Sequence, residues 1–364
     1  MIRFLPLLLL FFSCCTTQHE KNISLEKIPT IAIEGELITS ELMAYHTMQS
    51  AYIQSHLFYF TPTDEQVCLV VEPVHGTEIG TFGSFGNGPG ELSLFPIYAG
   101  RSERGDTIYM FDESHKINVY ALHIDNHKIR YNFVKSISVE RNDPVEQVKS
   151  TFAGIQRLSN GYYVGLNLIH THCLFSLYDR NLRHIKDFGD FPITDTPSSF
   201  FFLPPFEGPL RAHGNHIYYA AKRFGYMANY KISDNGEVSK VWEHHYSPPS
   251  YRISNGEIKF QGKSNLHGFS DVVAGKKYIF ALYSGIPCGK MFEERSIYAI
   301  EPKTLVILKP NGSIVGKYTL KNPCNTLCLS EDEQYIYIKT SHPDISIERF
   351  CVKDLIKNKK GMEK

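Results

Sequence analysis

The chain has 364 residues, with 38 Lys and Arg against 38 Asp and Glu, so its formal net charge is zero. Such balance argues against nucleic acid or an anionic membrane surface as the main partner. Its 22 Tyr and 24 Phe, beside a single Trp, suit the packing of sheets, and a closed β architecture can carry this length as one unit.

The N-terminus reads Met1-Ile2-Arg3, then an apolar run from Phe4 to Phe12, then Ser13-Cys14-Cys15-Thr16-Thr17. One positive charge, a short apolar core and a small residue before cysteine describe a secretory signal. The run is too short for a bilayer span, which takes about 20 residues, and nothing later in the chain is long and apolar enough. Residues 1–13 are therefore expected to be removed, 14–24 to form a polar tether, 25–353 to fold, and 354–364 to form a basic tail without ordered structure.

From Leu25 onward, short strands alternate with Gly, Asn, Asp and Pro. An apolar segment at 28–38 has no sheet of its own. Four strands are expected at 44–54, 56–61, 66–72 and 78–83. The corner Phe82 to Leu92 (F-G-S-F-G-N-G-P-G-E-L) follows, and a second set lies at 97–102, 106–112, 117–123 and 129–139. The third is at 152–158, 162–168, 173–178 and 184–188; the fourth is at 208–212, 216–221, 226–233 and 238–245. The fifth is at 269–274, 277–284, 305–309 and 314–320, and the sixth has three strands only, at 325–329, 334–340 and 346–352. Asn-Gly turns at 160–161, 235–236 and 311–312 fit hairpins.

A repeat of roughly 45 to 55 residues is the length of a four-stranded propeller blade. Phe82-Gly83-Ser84-Phe85 is echoed by Phe188-Gly189-Asp190-Phe191. The sixth set lacks one strand and 28–38 is spare, so the expected fold is an all-β, six-bladed propeller of four-stranded antiparallel blades, closed between its termini.

Two stretches break the rhythm. Residues 197–209 (P-S-S-F-F-F-L-P-P-F-E-G-P) read as a buried plug between blades or as an exposed lip, and 247–265 as a surface excursion with one extra hairpin. Cys68, Cys173, Cys288, Cys324, Cys328 and Cys351 read as scattered core thiols. In extended chain, the four-residue step from Cys324 to Cys328 spans roughly 13 Å, beyond disulfide reach.

A signal ending in Ser-Cys resembles a bacterial lipoprotein signal; Cys14, after the small Ser13, is then the lipidated residue, with Cys15 the alternative and an ordinary cleaved signal the competing reading. Gly86-Asn87-Gly88-Pro89-Gly90-Glu91-Leu92 resembles the G-x-G-P-G-E-[FL] corner of six-bladed, TolB-like and NHL-like propeller lipoproteins of Bacteroidota. Residues 277–285 (K-Y-I-F-A-L-Y-S-G), followed by 305–316, are similar to a late-blade stretch of the same group. Asn87 departs from the basic residue common there, and Lys309-Pro310 from the usual aspartate and its neighbour. The resemblance implies a propeller lipid-anchored in the cell envelope, at the outer membrane, and names no activity.

The glycine corner is not a phosphate loop, since that needs Lys-Ser/Thr and a following helix, whereas Glu91-Leu92 opens a strand. Its carboxylate is expected to accept glycine-loop amides rather than hold calcium. His170 and His172 share a strand face and suit zinc or copper, but no third ligand is suggested and a surface or turn role is the alternative. Innermost propeller strands line a channel, so polar residues near their starts are the ligand-binding candidates: His46, Arg101, Arg211, His213, His267 and Asp271. The competing reading is that these groups solvate or bridge the channel mouth.

No Gly-x-Ser-x-Gly elbow, HExxH or EF-hand loop is present. The favoured reading is a non-enzymatic, lipid-anchored propeller that binds a ligand or partner protein of the envelope through its channel face, with no cofactor. The alternatives are a propeller lyase, hydrolase or dehydrogenase acting on glycans or sugar derivatives, with Ca²⁺ as its metal, and a structural subunit of an envelope assembly that uses blade edges or the 200–206 lip.

Overall fold

The computed structural model describes residues 21–22, 24–42, 44, 47–62, 66–93, 96–125, 128–140, 152–167, 173–193, 206–254 and 257–360. Six antiparallel sheets form the blades of a propeller. Blade one pairs Gln49–Ile53, His56–Phe60, Cys68–Val71 and Glu78–Phe82 from the centre outward. Blade two pairs Ile97–Arg101, Thr107–Asp112, Lys116–Asp125 and Lys128–Ser138; blade three pairs Phe152–Arg157, Tyr163–Asn167, Phe175–Tyr178 and His184–Phe188. Blade four uses Leu210–His213, His216–Ala220, Gly225–Ile232 and Val238–Ser247, and blade five Phe269–Ala274, Ile279–Tyr283, Thr304–Leu308 and Ile314–Thr319. Blade six has Cys324–Leu329, Tyr335–Thr340 and Ile347–Cys351 from its own stretch of chain.

Its fourth strand is Glu36–Thr39, antiparallel to Ile347–Cys351, so the ring closes between the termini as the strand count requires. The spare segment does more than that. Thr30–Ala32 lies parallel on the outer strand of blade five, and Lys21–Asn22 lies parallel on that of blade four. The segment expected to be a tether is therefore partly bound to the ring, with Leu25 buried against blades four and five.

The core is six apolar clusters, one per blade interface. Phe58 and Phe60 of blade one pack on Tyr98 and Tyr120 of blade two, and Leu57 and Tyr59 meet Cys328 and Tyr337 of blade six across the closure. Because both faces of most strands are covered, the inner strands lose the polar alternation of a half-exposed sheet. The cysteines at 68, 288, 324 and 328 are buried in this packing.

Two corners share one backbone device. Gly83 and Gly189, which follow the echoed phenylalanines, have φ of 79° and 81°, the left-handed region glycine enters without strain. Phe82 packs between blades one and two, 4.8 Å from Tyr131, and Phe188 between blades three and four, 5.5 Å from Tyr230. In the glycine corner the Gly88 amide donates to Glu91 Oε2 at 2.7 Å, the role expected for that carboxylate. A Cβ on Gly86 would meet the same oxygen, so a side chain there would displace the Glu91 carboxylate from the Gly88 amide.

The 247–265 excursion carries the expected hairpin, Tyr251–Ser254 with Glu257–Phe260. Most of 197–209 lies outside the described residues, but Phe206 is buried, 4.9 Å from Phe191 and 5.8 Å from Phe260. The basic tail differs from its expectation, because Val352–Lys360 is a helix, α1. Val352, Leu355 and Ile356 fall on one face at helical spacing and pack on blades five and six, and the Leu355 carbonyl accepts the Tyr318 hydroxyl at 2.6 Å.

Candidate functional site

Antiparallel blades sort the connections between the two faces of the ring. Each innermost strand ends in a turn to the second, so one face carries hairpin turns and, after the third strand of blade six, helix α1. The other carries the second-to-third loops and the links between blades, including the glycine corner and the 284–303 insertion of blade five.

On the hairpin face the channel opens into a cavity of about 520 Å³. Its rim is charged with both signs: Arg101 and Glu103 from blade two, Arg157 from blade three, His213 from blade four, Lys276 from blade five, Glu331 and Glu333 from blade six. Arg101 Nη1 lies 3.0 Å from Glu331 Oε1, a bond that spans blade one, whose Gln54 amide donates to the same oxygen at 3.3 Å. Arg157 sits 4.7 Å over the ring of Tyr109 at the rim. Glu333 accepts the Lys276 amide at 2.6 Å. Burial lowers the proton affinity of His213, Lys276 and His216 act the same way and Glu333 opposes them, so the ring is neutral at physiological pH.

Below the rim the cavity reaches Ser50, Arg211 and Cys328. Here a buried polar belt ties four blades together. Arg211 Nη2 of blade four is 2.7 Å from Asp271 Oδ1 of blade five. Asp271 Oδ2 accepts the Thr326 hydroxyl at 2.6 Å and the Leu327 amide at 3.1 Å, both from blade six. Thr326 Oγ1 is in turn 2.7 Å from Ser50 Oγ of blade one. Burial pushes the Asp271 carboxyl up, while the guanidinium, the hydroxyl and two amides pull it down.

The sequence candidates therefore separate. Arg101 and His213 stand together at the hairpin-side mouth, because they end their strands rather than start them. Arg211 and Asp271 are the wall of the channel and bond to each other. His267 lies at the connection face, before Phe269–Ala274, only 5 % exposed; burial and the nearby Lys222 and Arg223 push it down to about 3. His46, Cys14 and the His170/His172 pair lie outside the described residues.

Five rim groups escaped the sequence reading: Glu103, Arg157, Lys276, Glu331 and Glu333. Arg157, Lys276 and Glu331 sit at or just past the ends of inner strands, one structural step from Arg101, and reading strand ends as well as starts would have found them. Among the described residues no group of three or more His, Cys, Asp or Glu side chains converges as a metal site. A different surprise is Lys339, on the second strand of blade six. It is wholly buried, its Nζ has no hydrogen-bond partner among the described residues, and burial pushes it down to about 8 against the opposing charge of Glu301.

No family model matches this chain, and no curated protein sequence matches it. Solved structures do resemble it at low identity. The structure of U3-55K aligns with a TM-score of 0.47 at 10 % identity, over 89 % of this chain and 100 % of that one. The Kuenenia stuttgartiensis hydrazine synthase gives 0.43 and 11 %, over 88 % and 99 %. BamB from Moraxella catarrhalis gives 0.38 and 11 %, over 83 % and 84 %. These likenesses concern architecture alone.

Proposed function

We infer that this protein is a lipid-anchored binding module of the cell envelope that takes a partner protein at the hairpin-side mouth of its channel. The observation that carries the reading is the rim itself: cations and carboxylates from four blades, with His213 of a fifth, surround an open cavity of about 520 Å³. A polar belt holds the wall beneath it rigid. Charged groups of both signs around a concave, preorganised surface give electrostatic complementarity, which selects and orients a partner. The Arg101–Glu331 pair is exposed enough to be worth little to stability, so its use at the rim is to hold both groups in position.

The anchor reading rests on Ser13-Cys14 after a short apolar run, and the placement at the outer membrane on the resemblance of Gly86 to Leu92 to propeller lipoproteins. Intact-mass measurement tests it. The mature protein is expected to begin at Cys14 and carry acyl chains, and acyl chains retained by Cys14→Ala would overturn the assignment.

Co-purification from detergent-solubilised membranes tests the binding role. A stoichiometric partner is expected with the wild-type chain and lost with Arg157→Glu/Lys276→Glu, both variants keeping the same thermal transition. Retention of the partner by the double variant, or absence of any stoichiometric partner from the wild type, contradicts the reading.

A further inference from the structure

Helix α1 creates a second concave surface on the hairpin face. It leans against the turns of blades five and six and encloses a groove of about 850 Å³. The groove and the channel mouth share one wall, formed by Lys276, Glu331 and Glu333.

The floor is apolar: Tyr278 and Phe280 from blade five, Val352 and Ile356 from the helix. Tyr278 and Ile356 remain half-buried, so apolar surface faces the groove. The banks are basic. Val352 and Ile356 form one i,i+4 row, and the adjacent row, Lys353 and Lys357, stands exposed beside it. Lys276 and Lys277, also exposed, form the opposite bank.

The acids at the end of the groove offset these charges only in part, since four lysines face three carboxylates and one of the three is neutralised by Arg101. Glu331 pairs with Arg101 at 3.0 Å, Glu333 accepts the Lys276 amide at 2.6 Å, and Asp332 accepts the Ser330 hydroxyl and the Gln334 amide at 2.6 and 3.0 Å. Asp354 of the helix lines a separate depression with Glu36 and Arg349. None of the four lysines forms an ion pair among the described residues.

We propose that this groove binds an acidic peptide segment of a partner protein, with one or two large apolar side chains on the floor and carboxylates against the two lysine banks. Exposed apolar surface asks for an apolar partner, and unpaired ammonium groups on both sides of it ask for carboxylates. The concave shape favours a single extended or helical segment over the flat face of an anionic bilayer. Arg157 and His213 distinguish the two surfaces, since they line the mouth and not the groove.

The test is fluorescence anisotropy with a labelled synthetic peptide in which Asp and Glu flank one Phe and one Leu. Two controls replace the acids by Lys, or Phe and Leu by Ala. Saturable binding of the parent peptide is expected at low salt, weakening as ionic strength rises, with both controls weaker. Lys353→Glu/Lys357→Glu should weaken binding about ten-fold or more, and the milder Lys353→Gln/Lys357→Gln less. These lysines are exposed, so folding is expected to survive, and an unchanged thermal transition checks it. Arg157→Glu, at the mouth, should leave binding unchanged. The proposal is overturned by no saturable binding, by equal binding of the Lys peptide, by indifference to the helix substitutions or by loss with Arg157→Glu. It is equally overturned if phosphatidylglycerol vesicles bind through these lysines while the peptide does not.

Discussion

Asp271 ties blade five to the blades on either side, accepting from Arg211 on one and from Thr326 and Leu327 on the other. Removing one partner of a buried pair leaves the other charge uncompensated, so Asp271→Ala should cost about 3–5 kcal/mol by denaturant unfolding. Arg211→Leu/Asp271→Leu should recover part of that loss, and equal costs for single and double variants would deny the coupling. Lys339 makes the opposite case. Its folded value near 8 lies below the unfolded 10.5, so burial of the ammonium weighs most below pH 8, and stability rises as pH climbs from about 8 to 10.5. Lys339→Met should therefore raise stability at pH 7 by about 2 kcal/mol and flatten that rise. A destabilised variant would mean that the amine is well matched where it lies. The sequence offered Arg211 and Asp271 as candidates but could not supply their partners, since Thr326 lies in the next blade. Lys339 was hidden because Tyr335-Ile336-Tyr337-Ile338-Lys339 reads as a strand with one wet face, whereas neighbouring blades cover both.

At the scale of elements, strand existence was legible throughout and the missing sixth-blade strand pointed to closure by the N-terminus. What escaped was the division of that segment, because its short strands carry little periodicity and their partners are set by the ring. Three pieces, Lys21–Asn22, Thr30–Ala32 and Glu36–Thr39, cover the outer edges of blades four, five and six. A chain lacking residues 21–39 should lose its cooperative calorimetric transition and scatter light as it associates through those edges. A sharp transition at the wild-type temperature would contradict this. The C-terminal helix was missed because its apolar signal spans little more than one turn within a run of lysines. Leu355→Ala, which removes its buried anchor, should cost about 2 kcal/mol in chemical denaturation, and no loss would mean that the helix contributes nothing to the fold.

At the scale of the molecule, six repeats and a closed ring were readable from length, turn spacing and the glycine corner. The functional face was not, because a list of strands does not say which end of the channel each polar residue reaches. Topology decides it: residues that end inner strands meet at the hairpin-side mouth, beside the groove under α1, while His267 and the long connections lie opposite. The connection face is the rival, since its blade-five insertion exposes Phe292 and Ile297 by 61 % and 55 %. The most direct measurement places a photo-crosslinking amino acid in living cells at Ser102 or Lys276 on one face, and at Phe292 or Ile297 on the other. The account predicts one discrete cross-linked partner from Ser102 and Lys276 and none from the opposite face. Cross-links confined to Phe292 and Ile297, or none from either face, would contradict it.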